Sequence, residues 1–442
     1  MVQNQLACVR TFGCQMNERD TETIKGLLAE EGYGFTNDPE DADLVLFNTC
    51  CVRENPERKV YGQVGLLQEA KAQNPRMIIG ICGCMPQQKE ELASMLERLP
   101  HVDLFFGTHN IHRLPELLSR ARTTSERVVE IWDDAGEPVE GLPALRQSSF
   151  KAWVTIMHGC NNFCSYCIVP YVRGREHSRL PASIIDEIQG LAENGVREVT
   201  LLGQNVNSYG KDLDSDTDFA DLLKILNGIQ GIDRIRFTTS HPKDISKKLI
   251  HSLANLDKVC EHLHLPVQAG SNDVLRRMNR GYDREYYIQL VETAREHVPN
   301  ITLTTDIMVG FPGETEKDFA DTLSLVEQIR YDSAFTFIYS PRKGTPAAKM
   351  PDQIPEEVKK QRIYRLIELQ NKISLERNEE LVGAKVEVLA EGISKSDPHM
   401  LTGKTRTAKT VVFPGNESLV GQLVQVQIKE AHTWNLTGQI VG

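Results

Sequence analysis

Residues 158–167 read "HGCNNFCSYC" and place three cysteines within eight residues: Cys160, Cys164 and Cys167. No fourth cysteine follows closely, although a structural zinc site takes four ligands and a 4Fe–4S cluster has four irons. Thiolate sulfur is a soft ligand that suits either group. Two interpretations stay open from these residues: a Cys₃His zinc site that uses His158 or His177, and a 4Fe–4S cluster with one iron left free for a substrate.

The segment around this loop, residues 150–376, repeats a strand followed by a helix six times. The predicted strands are "KAWVTIM", "EVTLLG", "RIRFTT", "EHLHLP", "LTTDIMVG" and "AFTFIYS". Six such units predict an incomplete TIM-like (β/α)₆ barrel, whose active face is built from the loops after the strands. A closed zinc site on that face would leave no position for a substrate, which favours the cluster with an open iron.

The N-terminal segment, residues 1–122, alternates short apolar runs with helical segments. Its apolar runs are "LACVRTF", "ADLVLFNT" and "RMIIGICG". This alternation predicts a parallel α/β sheet, whose strands all end at one edge. Cys14, Cys50 and Cys84 follow the three runs, so we expect their thiols to converge there. The residues alone allow a second three-thiolate metal site or three small buried hydrophobes, which single cysteines usually are.

The remaining cysteines are expected to be structural. Cys51 and Cys82 neighbour the N-terminal triad but should point elsewhere, and Cys8 and Cys260 belong to strands. Clustered cysteines without a secretory signal are typical of metal ligands or catalytic thiols in a reducing compartment. No run of 18 apolar residues is present, so no membrane span is predicted. We therefore expect a cytoplasmic protein.

Two further segments complete the predicted organisation. Residues 123–149 are acidic and punctuated by Pro and Gly, which is typical of a linker. A helix is predicted over "PEEVKKQRIYRLIELQNKISLERNEEL", and residues 379–442 then contain short alternating runs that predict a small β-barrel. The net charge of −11 indicates no overall affinity for nucleic acid, although local basic patches still attract phosphate.

The cysteine loop resembles the signature of the radical S-adenosylmethionine (SAM) superfamily, Cys-x₃-Cys-x-aromatic-Cys, with Tyr166 as the aromatic residue. The resemblance implies a 4Fe–4S cluster on these three cysteines, whose open iron is chelated by SAM, and cleavage of SAM to a 5′-deoxyadenosyl radical. It also implies SAM contacts near Tyr166 and by three polar residues in loops after the strands: Gln204, Ser240 and Gln268. Gln204 stands where the superfamily often has Gly-Gly-Glu, and polar residues at strand ends also cap helices.

The whole chain resembles the methylthiotransferase family of radical SAM enzymes. The resemblance rests on "TFGCQMNERD", "FNTCCVRE", "GCMPQ", "GCNNFCSYCIVPYVRGREHSR" and "TTDIMVGFPGET". It implies a C-terminal TRAM domain and an N-terminal domain that holds a second 4Fe–4S cluster through Cys14, Cys50 and Cys84. Relatives more often carry Ser or Ala at the position of Cys51. The choice between Cys50 and Cys51 therefore stays open, and the Asn-Thr-Cys context favours Cys50.

Within that family, "GCQMN" resembles the MiaB branch, which 2-methylthiolates N6-isopentenyladenosine beside the tRNA anticodon. The resemblance implies two SAM molecules per turnover: one methylates a sulfur held on the N-terminal cluster, and the other supplies the radical. It also implies a tRNA anticodon stem-loop as substrate, a sulfur donor, an electron donor such as flavodoxin or ferredoxin, and a monomeric protein. Radical chemistry fits this acceptor because carbon 2 of adenine carries no acidic proton for a base to remove.

Two other interpretations stay open at this stage. The first is the same chemistry on a different acceptor, either threonylcarbamoyl-adenosine in tRNA or an aspartate of a small-subunit ribosomal protein. The second is a non-catalytic iron–sulfur protein that binds RNA or carries electrons.

Two basic stretches are predicted to face RNA or another anion. In the C-terminal segment, "GKTRTAKTVVF" places basic side chains beside an aromatic one: Lys404, Arg406, Lys409 and Phe413. The alternative is a solvated basic hairpin. Directly after the cysteine loop, "VRGREHSR" carries three arginines that are expected to meet phosphate or the SAM carboxylate: Arg173, Arg175 and Arg179.

Overall fold

A computed structural model of the chain describes residues 5–51, 54–124, 126–134, 136 and 139–441, without the side chains of 54–58. Val52 and Arg53 of "FNTCCVRE", and the outer ends of the predicted first and last domains, lie outside this range. Within the described part of the chain, no helix is both long enough and apolar enough to cross a bilayer.

A six-stranded parallel sheet forms the N-terminal part, with strand order β2-β1-β3-β4-β5-β6. Its strands are β1 Leu6–Thr11, β2 Gly34–Phe35, β3 Leu44–Thr49, β4 Ile78–Gly83, β5 Leu104–Phe106 and β6 Val128–Glu130. Its helices are α1 Gln15–Glu30, α2 Glu54–Gln73, α3 Lys89–Arg98 and α4 Leu114–Thr123. Every residue of β3 and β4 is buried, as expected for central strands covered on both faces. The predicted parallel sheet is therefore confirmed.

Strand β6 lies inside the segment predicted to be a linker. Val128 is buried, and β6 pairs with β5 at the edge of the sheet. The composition of 123–149 hid this strand because one short apolar pair stands among acidic, Pro and Gly residues. Residues 139–146, which we name the strap, then run from the sheet to the barrel, and Leu145 N–H donates to Glu22 O at 2.9 Å.

The central part is a partial barrel. Its strands are β7 Lys151–Thr155, β8 Met157–His158, β9 His177–Ser178, β10 Glu198–Leu202, β11 Arg234–Thr238, β12 His262–His264, β13 Thr302–Val309 and β14 Ser333–Ile338. Its helices are α5 Val169–Val172, α6 Pro181–Glu193, α7 Phe219–Asn227, α8 Lys247–Asn255, α9 Asn272–Arg277, α10 Arg284–His297, α11 Glu316–Ile329 and α12 Glu356–Glu379. All six predicted barrel strands are present, while β8 and β9 form a separate short hairpin.

The barrel wall consists of two parallel sheets, β7-β10-β11 and β12-β13-β14. A single parallel bridge between Ile235 and Val259 joins them. Among the described strands, β7 pairs only with β10 and β14 only with β13, so the barrel stays open between β7 and β14. Buried side chains of α12, including Leu366 and Ile373, belong to the same apolar cluster as the barrel strands.

The C-terminal part is a closed five-stranded barrel with strand order β15-β16-β17-β19-β18, as the sequence predicted. Its strands are β15 Lys385–Ile393, β16 Met400–Thr405, β17 Thr410–Pro414, β18 Leu423–Ala431 and β19 Leu436–Ile440. This small barrel packs against the amino-terminal ends of the partial-barrel strands. Arg234 begins β11, is 1% exposed, and donates to Glu387 Oε1 at 2.7 Å and to Lys404 O at 2.9 Å.

We expect Arg234→Ala to loosen this packing. The substitution leaves the partly buried Glu387 without its ionic partner and Lys404 O without its donor, whereas Glu198 keeps Arg236 at 3.0 Å. Each buried polar group left without a partner costs about 1–3 kcal/mol. A lower unfolding temperature and faster proteolytic release of the C-terminal barrel would report it. Arg365→Ala is the matched control, because the exposed Arg365–Glu316 pair contributes only about 0–1 kcal/mol. Equal unfolding temperatures for both variants would contradict this account.

Candidate active site

The three-cysteine loop is closed at its base by the β8–β9 hairpin, in which His158 pairs with His177. Gly159 has φ +71°, and a Cβ there would lie 1.9 Å from Arg175 O, so only glycine fits before Cys160. The backbone of the loop is also fixed, because Cys160 N–H donates to Gly174 O at 3.1 Å.

The turn after α9 holds the same loop from the other side. Ser165 N–H donates to Met278 O at 3.0 Å, and Ser165 Oγ donates to Arg277 O at 2.7 Å. Asn279 Nδ2 donates to Phe163 O at 3.1 Å. Residues 276–282, "RRMNRGY", were not selected as site residues from the sequence. Their three arginines on either side of an asparagine were the only signal in the sequence.

The thiols of this loop are shielded from water. Cys160 and Cys164 are buried and Cys167 is half-buried. Burial raises the pKa of Cys160 to about 11 and that of Cys167 to about 12. These thiols therefore stay protonated near neutral pH until a positively charged metal centre displaces their protons.

The zinc alternative gains no support from the geometry. In the part of the chain that the structure describes, no group of three or more His, Cys, Asp or Glu side chains is arranged to hold a single metal ion. Zinc would draw each thiolate to about 2.3 Å from one point. A 4Fe–4S cluster instead bonds each thiolate to a different iron, which suits thiols spread along a loop.

The second triad lies at the carboxyl edge of the N-terminal sheet, as predicted. Cys14 follows β1, Cys50 follows β3 and Cys84 follows β4. Gly13 has φ +134°, and a Cβ there would lie 2.4 Å from Cys50 Cβ, so glycine is what lets the first two strand ends approach.

Hydrogen bonds and a nearby cation favour thiolates in this triad. A hydrogen bond with Cys50 lowers the pKa of Cys14 to about 6, and the Arg173 charge acts in the same direction. A hydrogen bond with Cys51 lowers the pKa of Cys84. The expectation that Cys51 points elsewhere was therefore wrong, because its thiol reaches Cys84. Whether Cys50 or Cys51 is the third ligand stays open, whereas Cys82 is fully buried in the sheet core.

A buried amide network supports the second triad. Asn17 Nδ2 donates to Asn48 Oδ1 at 3.1 Å and to Thr49 O at 2.9 Å, and Asn48 Nδ2 donates to Asn17 O at 2.9 Å. Cys14 Sγ donates to Asn17 Oδ1 at 3.4 Å. Sequence reasoning missed these two asparagines, although "GCQMN" and "FNTC" place each within three residues of a predicted ligand.

Two of the predicted SAM-binding residues, Gln204 and Ser240, belong to a group of buried polar atoms that have no hydrogen-bond partner among the described residues. Six such atoms cluster in the loops after β10 and β11: Gln204 Oε1, Asn205 Oδ1, Asn207 Nδ2, Thr239 Oγ1, Ser240 Oγ and His241 Nε2. A buried polar atom without a hydrogen bond costs about 1–3 kcal/mol. These residues therefore fit a polar ligand, and SAM offers amino, carboxylate and ribose groups to them.

Gln268 and Tyr166 complete this side of the site. Gln268 is buried, has φ +72°, and joins β13 through Gln268 N–H to Asp306 O at 2.9 Å. Tyr166 is half-buried, and its hydroxyl accepts a hydrogen bond from Arg280 Nη1 at 3.3 Å. Arg280, which the sequence analysis did not select, also contacts Cys164.

The arginines after the cysteine loop have different surroundings. Arg173 is buried and its Nη2 lies 2.7 Å from Asp20 Oδ2 of the N-terminal domain, so its guanidinium already has an anionic partner. Arg179 is likewise paired with Glu140 and Glu187. Arg175 is exposed and lies over the Phe163 ring at 4.4 Å, which leaves it accessible to an anion.

The predicted RNA-facing hairpin of the C-terminal barrel was wrong for Phe413, which is buried, and stays a prediction for its basic residues. Arg406 pairs with Glu261 at 2.7 Å and Lys409 with Asp332 at 2.7 Å, both at the base of the partial barrel. Lys404 donates to Thr410 Oγ1 at 2.8 Å within its own hairpin. Phe413 is fully buried in the small-barrel core, because β17 alternates and places Val411 and Phe413 on the inner face. Arg406 and Lys409 therefore join the small barrel to the partial barrel, whereas Lys404 and Phe413 have their contacts within the small barrel.

A cavity of about 680 Å³ lies where the N-terminal domain, the strap and the partial barrel meet. Its charged lining comes from all three: Arg19, Asp20, Glu140, Arg146, Arg173, Arg175, Arg179, Asp186 and Glu187. His158 also lines it, and burial lowers the pKa of His158 to about 3, so that ring is neutral. Arg173 places the cavity beside the N-terminal triad, and His158 places it beside the cysteine loop.

Comparisons with known proteins agree with this division of the chain. Residues 154–326 match the radical SAM superfamily, residues 7–107 match the uncharacterized protein family UPF0004, and residues 379–441 match the TRAM domain. The tRNA-2-methylthio-N(6)-dimethylallyladenosine synthase of Acetivibrio thermocellus is 55% identical over 99% of this chain and 91% of its own length. The chain belongs to this synthase family. The synthase of the same name from Thermoanaerobacter sp. (strain X514) is 56% identical over 98% of this chain and 92% of its own length.

Membership of this synthase family confirms the predicted family and enzyme class. It also means that the cysteine triads are to be judged as sites for 4Fe–4S clusters and the polar loop residues as a site for SAM. The residues present fit both groups. A radical SAM methyltransferase structure, TsrM from Kitasatospora setae, covers 90% of this chain and 81% of its own, with a TM-score of 0.57 at 14% identity. That likeness concerns the fold alone.

The lowered pKa of Cys14 predicts an unusual reactivity in the metal-free synthase. With a pKa of about 6, Cys14 should be mostly thiolate at pH 7, and its alkylation by iodoacetamide should fall as the pH drops through 6. Peptide mapping by mass spectrometry would measure the rate at each pH. Cys50→Ala removes the main cause and should move the midpoint upward, whereas Cys160 should stay unreactive up to pH 9. A Cys14 midpoint near 9 in the parent protein would contradict the assignment.

Proposed function

We propose that this chain converts N6-isopentenyladenosine (dimethylallyladenosine) beside the tRNA anticodon to its 2-methylthio derivative. The observation that carries the proposal is the contact between the regions of the two triads. Arg173, six residues after Cys167, pairs with Asp20, and its positive charge lowers the pKa of Cys14 and of Cys84. The names of the relatives at 54–56% identity support this acceptor over threonylcarbamoyl-adenosine and over a ribosomal aspartate.

In this proposal each triad holds one 4Fe–4S cluster. Cys160, Cys164 and Cys167 hold the cluster that binds SAM, and Cys14, Cys50 and Cys84 hold the cluster that carries the sulfur. When bound, these clusters and SAM supply the radical that removes hydrogen from carbon 2 and the methylated sulfur that replaces it. Gln204, Ser240 and Gln268 orient SAM, since the first two have buried polar atoms without other partners.

The protein contributes positioning and the exclusion of water. The Arg173–Asp20 pair joins the domain carrying one triad to the loop carrying the other. The strap adds a second connection, since Arg146 bonds both Glu22 of α1 and Glu187 of α6. Both triads are thereby held near one cavity, which Arg173 and His158 line.

The cavity suits a modified adenine. Its volume of about 680 Å³ lies within the range of about 300–1,000 Å³ that is usual for small-ligand sites. An anticodon loop is single-stranded, so its bases can leave the stack and enter a pocket. Arg175 and the Phe163 ring, both near the cavity, present a cation and an aromatic face of the kind that binds single-stranded RNA.

The proposal also covers the location of the protein, its oligomeric state and the donors that it requires. They are a cytoplasmic location, a monomeric state, a flavodoxin-like or ferredoxin-like electron donor, and a separate sulfur donor. The domain limits, with a barrel domain over 150–376 and a TRAM domain over 379–442, are also proposed. Helix α12 crosses the proposed limit between them, and its apolar side chains pack on the partial barrel.

The acceptor can be tested with synthetic anticodon stem-loops. Anaerobically reconstituted protein, SAM and a reductant should convert a stem-loop that carries the isopentenyl group and leave one that carries threonylcarbamoyl unchanged. Mass spectrometry of the nucleosides measures both products. Turnover of the second RNA in preference to the first would overturn the acceptor assignment, and release of no 5′-deoxyadenosine would point to a non-catalytic protein.

The two triads can be tested separately by iron content. The parent protein should bind about eight irons, and Cys160→Ala/Cys164→Ala/Cys167→Ala should retain about four, because two 4Fe–4S clusters are expected. Cys14→Ala/Cys50→Ala/Cys84→Ala should also retain about four and should still cleave SAM without forming the methylthio product. Cys8→Ala is the matched control with full iron. Retention of about eight irons by Cys50→Ala, together with only about four in Cys51→Ala, would exchange the ligand assignment between these two residues.

A further inference from the structure

Arg280 is a buried cation beside the cysteine loop that the proposed function does not yet use. It is 5% exposed, and its Nη1 donates to Cys164 Sγ at 3.3 Å and to the Tyr166 hydroxyl at 3.3 Å. Its Nη2 donates to Pro266 O at 2.8 Å and its Nε to the Tyr282 hydroxyl at 3.0 Å. Every nitrogen of the guanidinium is therefore fixed in place, with one directed at a cluster cysteine.

Within the described residues, no carboxylate pairs with Arg280. Its hydrogen-bond partners are a thiol, a carbonyl and two phenols. Burial raises the pKa of Tyr166 and Tyr282, so both phenols are neutral. A buried charge without a counter-charge is costly, and proteins normally pair it. The anion that Arg280 faces is the thiolate that Cys164 becomes when it binds iron.

Arg173 provides the contrast at the other triad. It lies close to Cys14 and Cys84, but Asp20 at 2.7 Å compensates its charge. The cation beside the N-terminal triad therefore has a carboxylate partner, whereas the cation beside Cys164 has none among the described residues. A positive charge and hydrogen bonds to cluster sulfurs both make an iron–sulfur cluster easier to reduce.

We propose that Arg280 is a positioning residue for the cluster held by Cys160, Cys164 and Cys167. Its guanidinium binds the Cys164 thiolate and raises the reduction potential of that cluster above the value that the cluster would have without this cation. The inference rests on the proposed assignment of Cys160, Cys164 and Cys167 as cluster ligands. It adds that the fixed charge of Arg280 makes the cluster beside Cys164, and not the N-terminal cluster, the preferred acceptor of the electron needed for SAM cleavage.

The test is a redox titration followed by EPR spectroscopy of the intact chain with Cys14, Cys50 and Cys84 changed to alanine, so that one cluster is observed. In this background Arg280→Met should lower the ratio of reduced to oxidised cluster at a fixed potential by about tenfold or more, as expected for loss of a charged hydrogen bond. Arg280→Lys keeps the charge and should restore most of the ratio. Arg276→Met is the matched control, since Arg276 forms an exposed pair with Asp273.

An unchanged potential in Arg280→Met with full iron would overturn the inference. If Arg280→Met folds but holds no iron, retention of iron by Arg280→Lys supports a requirement for the charge, whereas equal loss in both variants indicates packing alone and overturns it. Failure of the cluster assignment is a separate result: Cys160→Ala/Cys164→Ala/Cys167→Ala would then retain all of its iron. The potential of the N-terminal cluster, measured in that triple variant, should not respond to Arg280→Met.

Discussion

The Arg173–Asp20 ion pair connects the two halves of the candidate site. Both side chains are largely shielded from water, and Asp20 belongs to the helix that begins directly after Cys14. Arg173 follows the loop that carries the other triad. Removing either partner would leave an uncompensated charge at the domain junction, which is among the more costly changes a buried site can undergo. The relative placement of the two cysteine triads therefore depends on this contact.

Backbone geometry at the cysteines adds a second constraint. Gly13, Gly83 and Gly159 each directly precede a cysteine of a triad, and all three have positive φ. At each of them a Cβ would collide with a neighbouring strand or loop. Chain direction thus changes sharply just before the thiol, which lets strands that run parallel deliver their cysteines to one place.

Much of the fold was predictable because short apolar runs, typical of strands, alternate with helical segments or with turn residues along most of the chain. The six barrel strands and the five strands of the small barrel each stand between turn residues, and all are present. Strands β2, β5 and β6 of the N-terminal sheet were missed because they are two or three residues long and depend on pairing with a neighbour. The strand-end cysteines were predictable because parallel strands end at one edge. Cys51 was not, because the direction of adjacent side chains after a strand depends on the local turn.

The partners of the basic residues in the C-terminal barrel could not be predicted from the sequence. A basic residue in a sequence shows its charge but not its partner, and Arg406 and Lys409 have carboxylate partners more than seventy residues away in the chain. Phe413 was an avoidable error, since alternation in "TVVFP" places it with Val411 inside the barrel. Arg280 was not selected from the sequence, and only the three-dimensional contact with Cys164 distinguishes it from Arg276.

The docking of the small barrel on the amino-terminal ends of the partial-barrel strands sets a length scale. Strand β13 has eight residues, which corresponds to about 26 Å from one end of the barrel wall to the other at about 3.3 Å per residue. An RNA that touches both the small barrel and the mouth of the cavity must reach along this whole wall. A single nucleotide can fill the mouth, but only an RNA that extends over about 26 Å can contact both ends.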